Sequence, residues 1–181
     1  MMIFPVLKTQ SLVIRAFEKK DLATFSEYRS QDVVAKYQSW TSYTYQDAVE
    51  LFESMDYSTF GTAGNWYQLA IASLTSDELI GDLAVHFIDE EQIEIGFTVS
   101  PQHQGQNIAT EAVSTFLRYV FDELNKHRVV ATTDAKNTAS YRLLEKLSFR
   151  REGHFIQNIF FKGEWGDEYQ YALLRSEQKF T

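Results

Sequence analysis

Apolar and polar positions sort this chain into strands and helices along most of its length. Gln92–Val99 alternates most cleanly, with Ile93, Ile95, Phe97 and Val99 on one face and Gln92, Glu94, Gly96 and Thr98 on the other, the period-2 signature of a strand. Gly96 within that run predicts a bulge, or a close approach by another chain or a ligand. Leu12–Arg15, Trp66–Ala72, Leu79–Phe87 and Arg128–Thr133 read as further strands, with polar turns at Thr75-Ser76-Asp77 and Asp89-Glu90-Glu91. His154–Phe161 and Glu168–Leu174 read as a hairpin across the Lys162–Gly166 turn. Helical spacing appears elsewhere. Asp21 is placed to cap a helix carrying Leu22, Phe25 and Tyr28, and Thr44 with Asp47 forms a variant capping box opening a helix to about Tyr57. The stripe Val113, Phe116, Leu117, Val120, Phe121 and Leu124 marks a strong amphipathic helix, and Asn137 caps another holding Leu143, Leu144 and Leu147. Strands and helices mix without strict alternation, so the expected class is α+β, with a mixed sheet.

Composition narrows this picture. The 181 residues suffice for one core, and 44% hydrophobic with 23% charged residues is ordinary for a soluble globular protein. Pro5 and Pro101 are the only prolines, and no linker, repeat or low-complexity tract interrupts the chain, so a single domain over 1–181 is expected. The absence of cysteine excludes disulfides, thiolate metal sites and Cys nucleophiles. His86, His103, His127 and His154 show no metal spacing, and no G-x-S-x-G elbow is present. A net charge of −8 disfavours nucleic acid as a partner. It suits a cationic amine, and equally suits plain solubility. Met1–Gln10 lacks the features of a signal peptide, and no apolar run is long enough to span a bilayer. A cytoplasmic location without membrane partners is the expectation.

Candidate chemistry concentrates where the Gln92–Val99 strand runs into Pro101–Ala109 and then directly into the strong helix. Loop amides and the unpaired amides of a first helical turn converge there on one concavity, and the helix dipole favours an anion. Gly105 permits close backbone approach, Ala109 is small, and Asn107 is the non-glycine type that best tolerates a left-handed backbone. A plain strand-to-helix turn would look similar. The loop alone does not decide.

The order of motifs does more. Gln104-Gly105-Gln106-Asn107-Ile108-Ala109, followed by Thr110-Glu111-Ala112, resembles the Q/R-x-x-G-x-G/A pyrophosphate loop of GNAT N-acetyltransferases. Asn137-Thr138-Ala139-Ser140, then Leu144-Glu145-Lys146-Leu147-Ser148-Phe149, Glu152-Gly153 and the run Lys162–Tyr169 are similar to the RimJ/RimL branch, named for ribosomal-protein alanine acetyltransferases. Two positions depart from that pattern. Asn107 stands where glycine is usual and is expected to keep the loop shape through a positive φ. Ser148 also replaces a glycine, and is read as a helix end needing no left-handed residue.

The resemblance implies a strongly twisted, mostly antiparallel mixed sheet flanked by helices, with a splayed central strand pair. It implies acetyl-CoA as cosubstrate, gripped by Gln104, Gly105, Gln106, Asn107, Ile108, Ala109 and Thr110. Backbone groups of Phe97, Thr98 and Val99 would meet the pantetheine arm, although the side chains of Phe97 and Val99 fit core packing equally well. Asn137 would touch the pantetheine. Ser140 would face the departing thiolate, since Leu144 occupies the position where many relatives carry Tyr; a serine in a first helical turn also has purely local uses. Glu94, on the polar face, could take a proton from the amine directly or through water, or only orient substrate. Trp40, Tyr67, His86 and Asn158 could shape the acceptor pocket, though aromatic and lone His residues are more often structural.

The implied activity is acetyl transfer to a primary amine, foremost the N-terminal α-amine of a protein or peptide. A small amine (polyamine, aminoglycoside or amino acid) is the alternative, and a non-catalytic acyl-CoA sensor is a rival of another class. The oligomeric state stays open, a homodimer being the commonest symmetric assembly.

Overall fold

The computed structural model describes residues 4–179; residues 1–3 and 180–181, the ends of the expected domain and signal-free N-terminus, lie outside the described residues. One eight-stranded sheet runs through them in the order β1-β2-β3-β4-β5-β6-β8-β7. The strands are β1 (Leu7–Lys8), β2 (Leu12–Ala16), β3 (Trp66–Ser73), β4 (Leu79–Phe87), β5 (Gln92–Val99), β6 (Arg128–Asp134), β7 (Arg150–Phe161) and β8 (Glu164–Leu174). Every neighbouring pair is antiparallel except β5 and β6. The helices are α1 (Leu22–Arg29), α2 (Asp32–Ala35), α3 (Tyr45–Ser54), α4 (Ile108–Arg118, continued by a π turn through Glu123) and α5 (Thr138–Lys146). The expected mixed, mostly antiparallel sheet with flanking helices is present.

The alternation read in the sequence decides which face each strand buries. Leu69, Ile71, Leu83, Val85, Phe87, Ile93, Ile95, Val129 and Tyr171 pack against Val113, Phe116, Leu117, Val120 and Phe121 of α4 and Leu144 of α5. Deleting any one of these large side chains would cost about 2–5 kcal/mol. On the opposite face a smaller cluster joins Phe17, Leu22, Phe25 and Tyr28 to Ala48 of α3 and Ala70 of β3. This second layer covers β2–β4 but leaves the polar face of β5, β6 and β8 open to the acceptor side described below.

Several expectations need correction. Asp21 does precede α1, but its side chain caps nothing there. It accepts from the Glu18 amide at 2.8 Å and pairs with buried Arg15 at 2.7 and 3.0 Å, because a buried guanidinium outcompetes a helix amide for a carboxylate. The Thr44–Asp47 capping box forms, yet α3 ends at Ser54, and Tyr57 begins a separate 3-10 turn. No bulge occurs at Gly96; pairing with β4 is continuous from Gly81↔Val99 to Phe87↔Ile93. Ser148 adopts φ +69°, so that helix end does use a left-handed residue, as a helix closing directly into a strand commonly does. The final turn is only Lys162-Gly163, with φ +51° and +85°, which suits the right-handed twist of a two-residue hairpin.

The feature that positions the site is a short rung count. β5 and β6 pair only at Gln92↔Arg128, Ile93↔Val129 and Glu94↔Val130. Beyond Glu94 the two strands part, leaving a wedge between Ile95–Val99 and the second half of β6. On its other side β5 is held close. A Cβ added at Gly81 would lie 2.3 Å from the Thr98 carbonyl oxygen, so only glycine lets β4 approach there.

Candidate active site

Two cavities meet at this wedge. One, of ≈ 590 Å³, is bounded by Phe97, Thr98 and Val99 of β5, by Gln104, Gly105, Asn107, Ala109 and Thr110, and by Asn137, Ala139, Ser140 and Leu143 on α5. The other, of ≈ 340 Å³, opens on the polar sheet face among Asp82, Gly96, Thr98, Thr132, Asp134 and Glu168. Tyr37, Gln38, Phe97, Thr98, Asn137 and Ser140 border both. Ser140 therefore sits at their junction.

The loop side is built from backbone. Gly105 (φ +75°) and Asn107 (φ +63°) are both left-handed, and nothing lies within 4 Å of a Cβ added at Gly105. Asn107 ends the loop as the N-cap of α4, but its side chain makes no cap hydrogen bond. Its Oδ1 instead accepts from Lys146 Nζ at 3.0 Å. The first-turn amides thus have no side-chain cap, and a cation stands beside them. Along β5, amides alternate between neighbouring strands. The Ser100 amide bonds Ile80 of β4, so those of Val99 and Phe97 face the wedge, while Thr98 turns toward its β4 partner Asp82. Gln104 Nε2 donates to the Val99 carbonyl at 3.0 Å, which pins the loop to the strand end. Gln106 is exposed and Ile108 is buried in the core, and neither borders the cavity.

The polar side is built from side chains that lie far apart in sequence. Buried Asp82 accepts from Tyr28, Gln68 and Arg29. The Tyr28 hydroxyl is pushed well above its ordinary value by its own burial, and then by the charge of Asp82. Arg29 lies against the rings of Phe25 (4.2 Å) and Trp40 (4.4 Å), so Trp40 clamps the floor of this cavity. Asp134 and Glu168 are direct cross-strand partners, and neither is in an ion pair among the described residues. Asn158 holds Glu168 at 2.6 Å. Tyr67 is a core residue, bonded to Thr59 and Asn65. Glu94 borders neither cavity; it stands at the last paired rung, one step below Gly96, with His86 Nδ1 3.6 Å from its carboxylate.

Sequence reading did not single out Tyr37, Gln38, Asp82, Asp134, Lys146 or Glu168. Lys146 carried no usable signal, since it reaches the loop from 39 positions away. The polar residues of β4, β6 and β8 carried a faint one: Asp82, Asp134 and Glu168 all interrupt strands at positions where one face must leave the core.

A strand split beside an uncapped helix start, with a hydroxyl where two cavities join, leaves room for an anionic group on one side and a second molecule on the other. Residues 11–150 match the Acetyltransferase (GNAT) domain. An uncharacterized N-acetyltransferase of Bacillus subtilis (strain 168), YnaD, is 35% identical over 172 residues, covering 94% of this chain and 98% of that protein. Among solved structures, RimL, a ribosomal alpha-N-protein acetyltransferase in complex with coenzyme A, superposes with a TM-score of 0.83 at 16% identity, covering 94% of this chain and 98% of RimL. Spermidine N-acetyltransferase from Vibrio cholerae in complex with CoA and spermine gives 0.79 at 22% identity, covering 93% and 98%. This chain belongs to the GNAT family and is an acetyl-CoA-dependent N-acetyltransferase. No helix among the described residues is long and apolar enough to cross a membrane.

Proposed function

We propose that the chain acetylates a primary amine that enters from the polar sheet face, the N-terminal α-amine of a protein or peptide being its first acceptor class. The observation that carries the proposal is the junction itself: Ser140 and the Phe97 backbone border both the loop-side cavity and the polar one. When bound, acetyl-CoA supplies the thioester carbon that the amine attacks. The loop amides around Gly105 and Asn107, the first turn of α4 and Lys146 suit the pyrophosphate. The Phe97 and Val99 amides, which face the wedge, suit the pantetheine and the thioester carbonyl, where a positioned N–H stabilises developing negative charge. Thr98, whose amide serves β4, would contribute its side chain instead. Asn137 holds the start of α5 by accepting from the Ser140 amide at 3.3 Å, and so aims the Ser140 hydroxyl at the junction. That hydroxyl would donate to the leaving sulfur. Glu94 would take the amine proton, through water given the gap left by Gly96.

An exposed apolar rim favours a peptide acceptor. Ile159 and Phe161 of β7 border the polar cavity, and Ile159 is exposed, whereas Phe160 and Trp165 pair on the other face of the hairpin. Such a surface suits the residues that follow an N-terminus. A second reading, a small polycationic amine, has its own observation in the unpaired carboxylates Asp134 and Glu168. Purified protein with acetyl-CoA and a panel of alanine- and serine-initiated peptides, spermidine, aminoglycosides and amino acids separates them by free-thiol release. Turnover with peptides alone supports the first reading. Turnover confined to small amines replaces it with the second, and acetyl-CoA binding without any turnover leaves a sensor.

A further inference from the structure

We propose that His86 is the proton-relay partner of Glu94, a positioning residue that lets a carboxylate at the head of the wedge clear the acceptor's proton to solvent. The inference rests on Glu94 serving as the base.

Three observations converge on this pair. His86 Nδ1 is buried, has no hydrogen-bond partner among the described residues, and lies 3.6 Å from Glu94 Oε2. The ring is fixed by flat stacking on Trp66, with centroids 4.5 Å apart and planes 4° from parallel, yet Trp66 is itself 54% exposed. An exposed tryptophan held to an imidazole contributes little to the core; what it does is set the plane of that ring. Finally, His86 and Glu94 are direct partners across β4 and β5, and the next residues on that face, Ala84 and Gly96, border the polar cavity. Gly96 has no side chain, so Glu94 is the first functional group below the cavity on β5, roughly 6.5–7 Å along the strand.

An imidazole nitrogen without a proton can accept one and hold it, which gives the carboxylate a group to pass a proton to. In the relay, the ammonium proton of the acceptor passes to Glu94, through one water across the Gly96 gap, and then to Nδ1 of a neutral His86. The imidazolium holds that proton until the acetylated product leaves. Nδ1 then returns it through Glu94 and the emptied cavity to solvent, which restores the starting state, so no proton accumulates and no co-reactant is needed. Of the other charged groups on this face, Asp134 and Glu168 lie toward the far end of β6, beside the polar cavity. Asp82, four residues along β4, is held by Arg29, and Arg128, beside Gln92 on β6, is paired with Glu152.

The test is steady-state thiol release from acetyl-CoA with spermidine and with an alanine-initiated peptide, comparing wild type, His86→Gln, His86→Ala, Trp66→Leu and Glu94→Gln. His86→Gln should lower kcat by on the order of tenfold while leaving the KM for acetyl-CoA within about twofold. Added imidazole should restore part of the lost rate to His86→Ala and none to Glu94→Gln, a rescue that a merely structural ring would not give. Trp66→Leu, which keeps the imidazole but frees its plane, should fall between wild type and His86→Gln, and thermal melts of all four variants check that they fold. A Glu94→Gln variant with crippled turnover beside a fully active His86→Gln, or a His86→Ala variant deaf to imidazole, would overturn the relay. Full turnover by Glu94→Gln would remove the base on which the relay rests, and no turnover by wild type with either acceptor would remove the transfer reading itself.

Discussion

The two halves of the site are made in different ways. The loop side is a stretch of contiguous backbone, residues 104–110, whose shape depends on two left-handed residues and an uncapped helix start. The polar side gathers side chains from α1, β4, β6 and β8 that meet only because the sheet brings them into register. The first half can do little but hold an anion, since amides have no freedom to change protonation. The second half carries carboxylates, a hydroxyl and an imidazole, and so can move protons. On the proposed reading, binding and chemistry fall on separate sides of one wedge, with Ser140 between them.

Substitutions that respect this division should separate the two functions. The largest effect is expected at the junction. Ser140→Ala should lower kcat by about 10²-fold, the loss typical of a donor facing developing charge, with the KM for acetyl-CoA changed less than threefold; thiol-release kinetics read both. A smaller effect is expected from Asp134→Asn combined with Glu168→Gln. Two adjacent carboxylates, neither in a close ion pair, should attract a second positive charge on the acceptor, so the KM for spermidine should rise about five- to tenfold, a loss of about 1 kcal/mol or slightly more. The KM for acetyl-CoA should not move. An equal rise in both KM values would mean that the two sides are not separate.

The smallest effect lies outside the site and serves as a control for it. Arg128 and Arg150 hold the Glu152 carboxyl at about 2, well below its ordinary 4.5. A depressed folded value stabilises the protein fully above about 4.5 and loses that contribution as pH falls toward 2. The Glu152 side chain remains 26% exposed, so the contribution should stay below about 1 kcal/mol. Glu152→Gln should therefore lower the Tm slightly at pH 7, converge with wild type near pH 2 to 3, and leave turnover unchanged.

The contrast between the halves also explains what the sequence disclosed. Contiguous features were legible: the alternation of β5, the stripe of α4, the Asn137 cap, and the positive φ of Asn107. The errors came from places where a local rule met a distant competitor. Asp21 looked like a helix cap, but Arg15 claims its carboxylate. Gly96 signalled a bulge or a close approach, and the bulge is the half that fails: its strand keeps register with β4 and leaves β6 instead, an event decided between strands. Ser148 looked dispensable as a left-handed residue because its role depends on how abruptly α5 must turn into β7. Tyr37 and Gln38 could not be found at all; they follow the single turn of α2, and only the folded chain places them at both cavities.

The division between holding and reacting is tested most directly by calorimetric titration of acetyl-CoA into wild type, Asn107→Val and Ser140→Ala. Valine at a left-handed position should cost roughly 1–2 kcal/mol of loop geometry, so Asn107→Val should bind about tenfold more weakly. Ser140→Ala should bind as wild type does. Unchanged affinity in Asn107→Val together with a marked loss in Ser140→Ala would contradict the account, and no binding by wild type would end it.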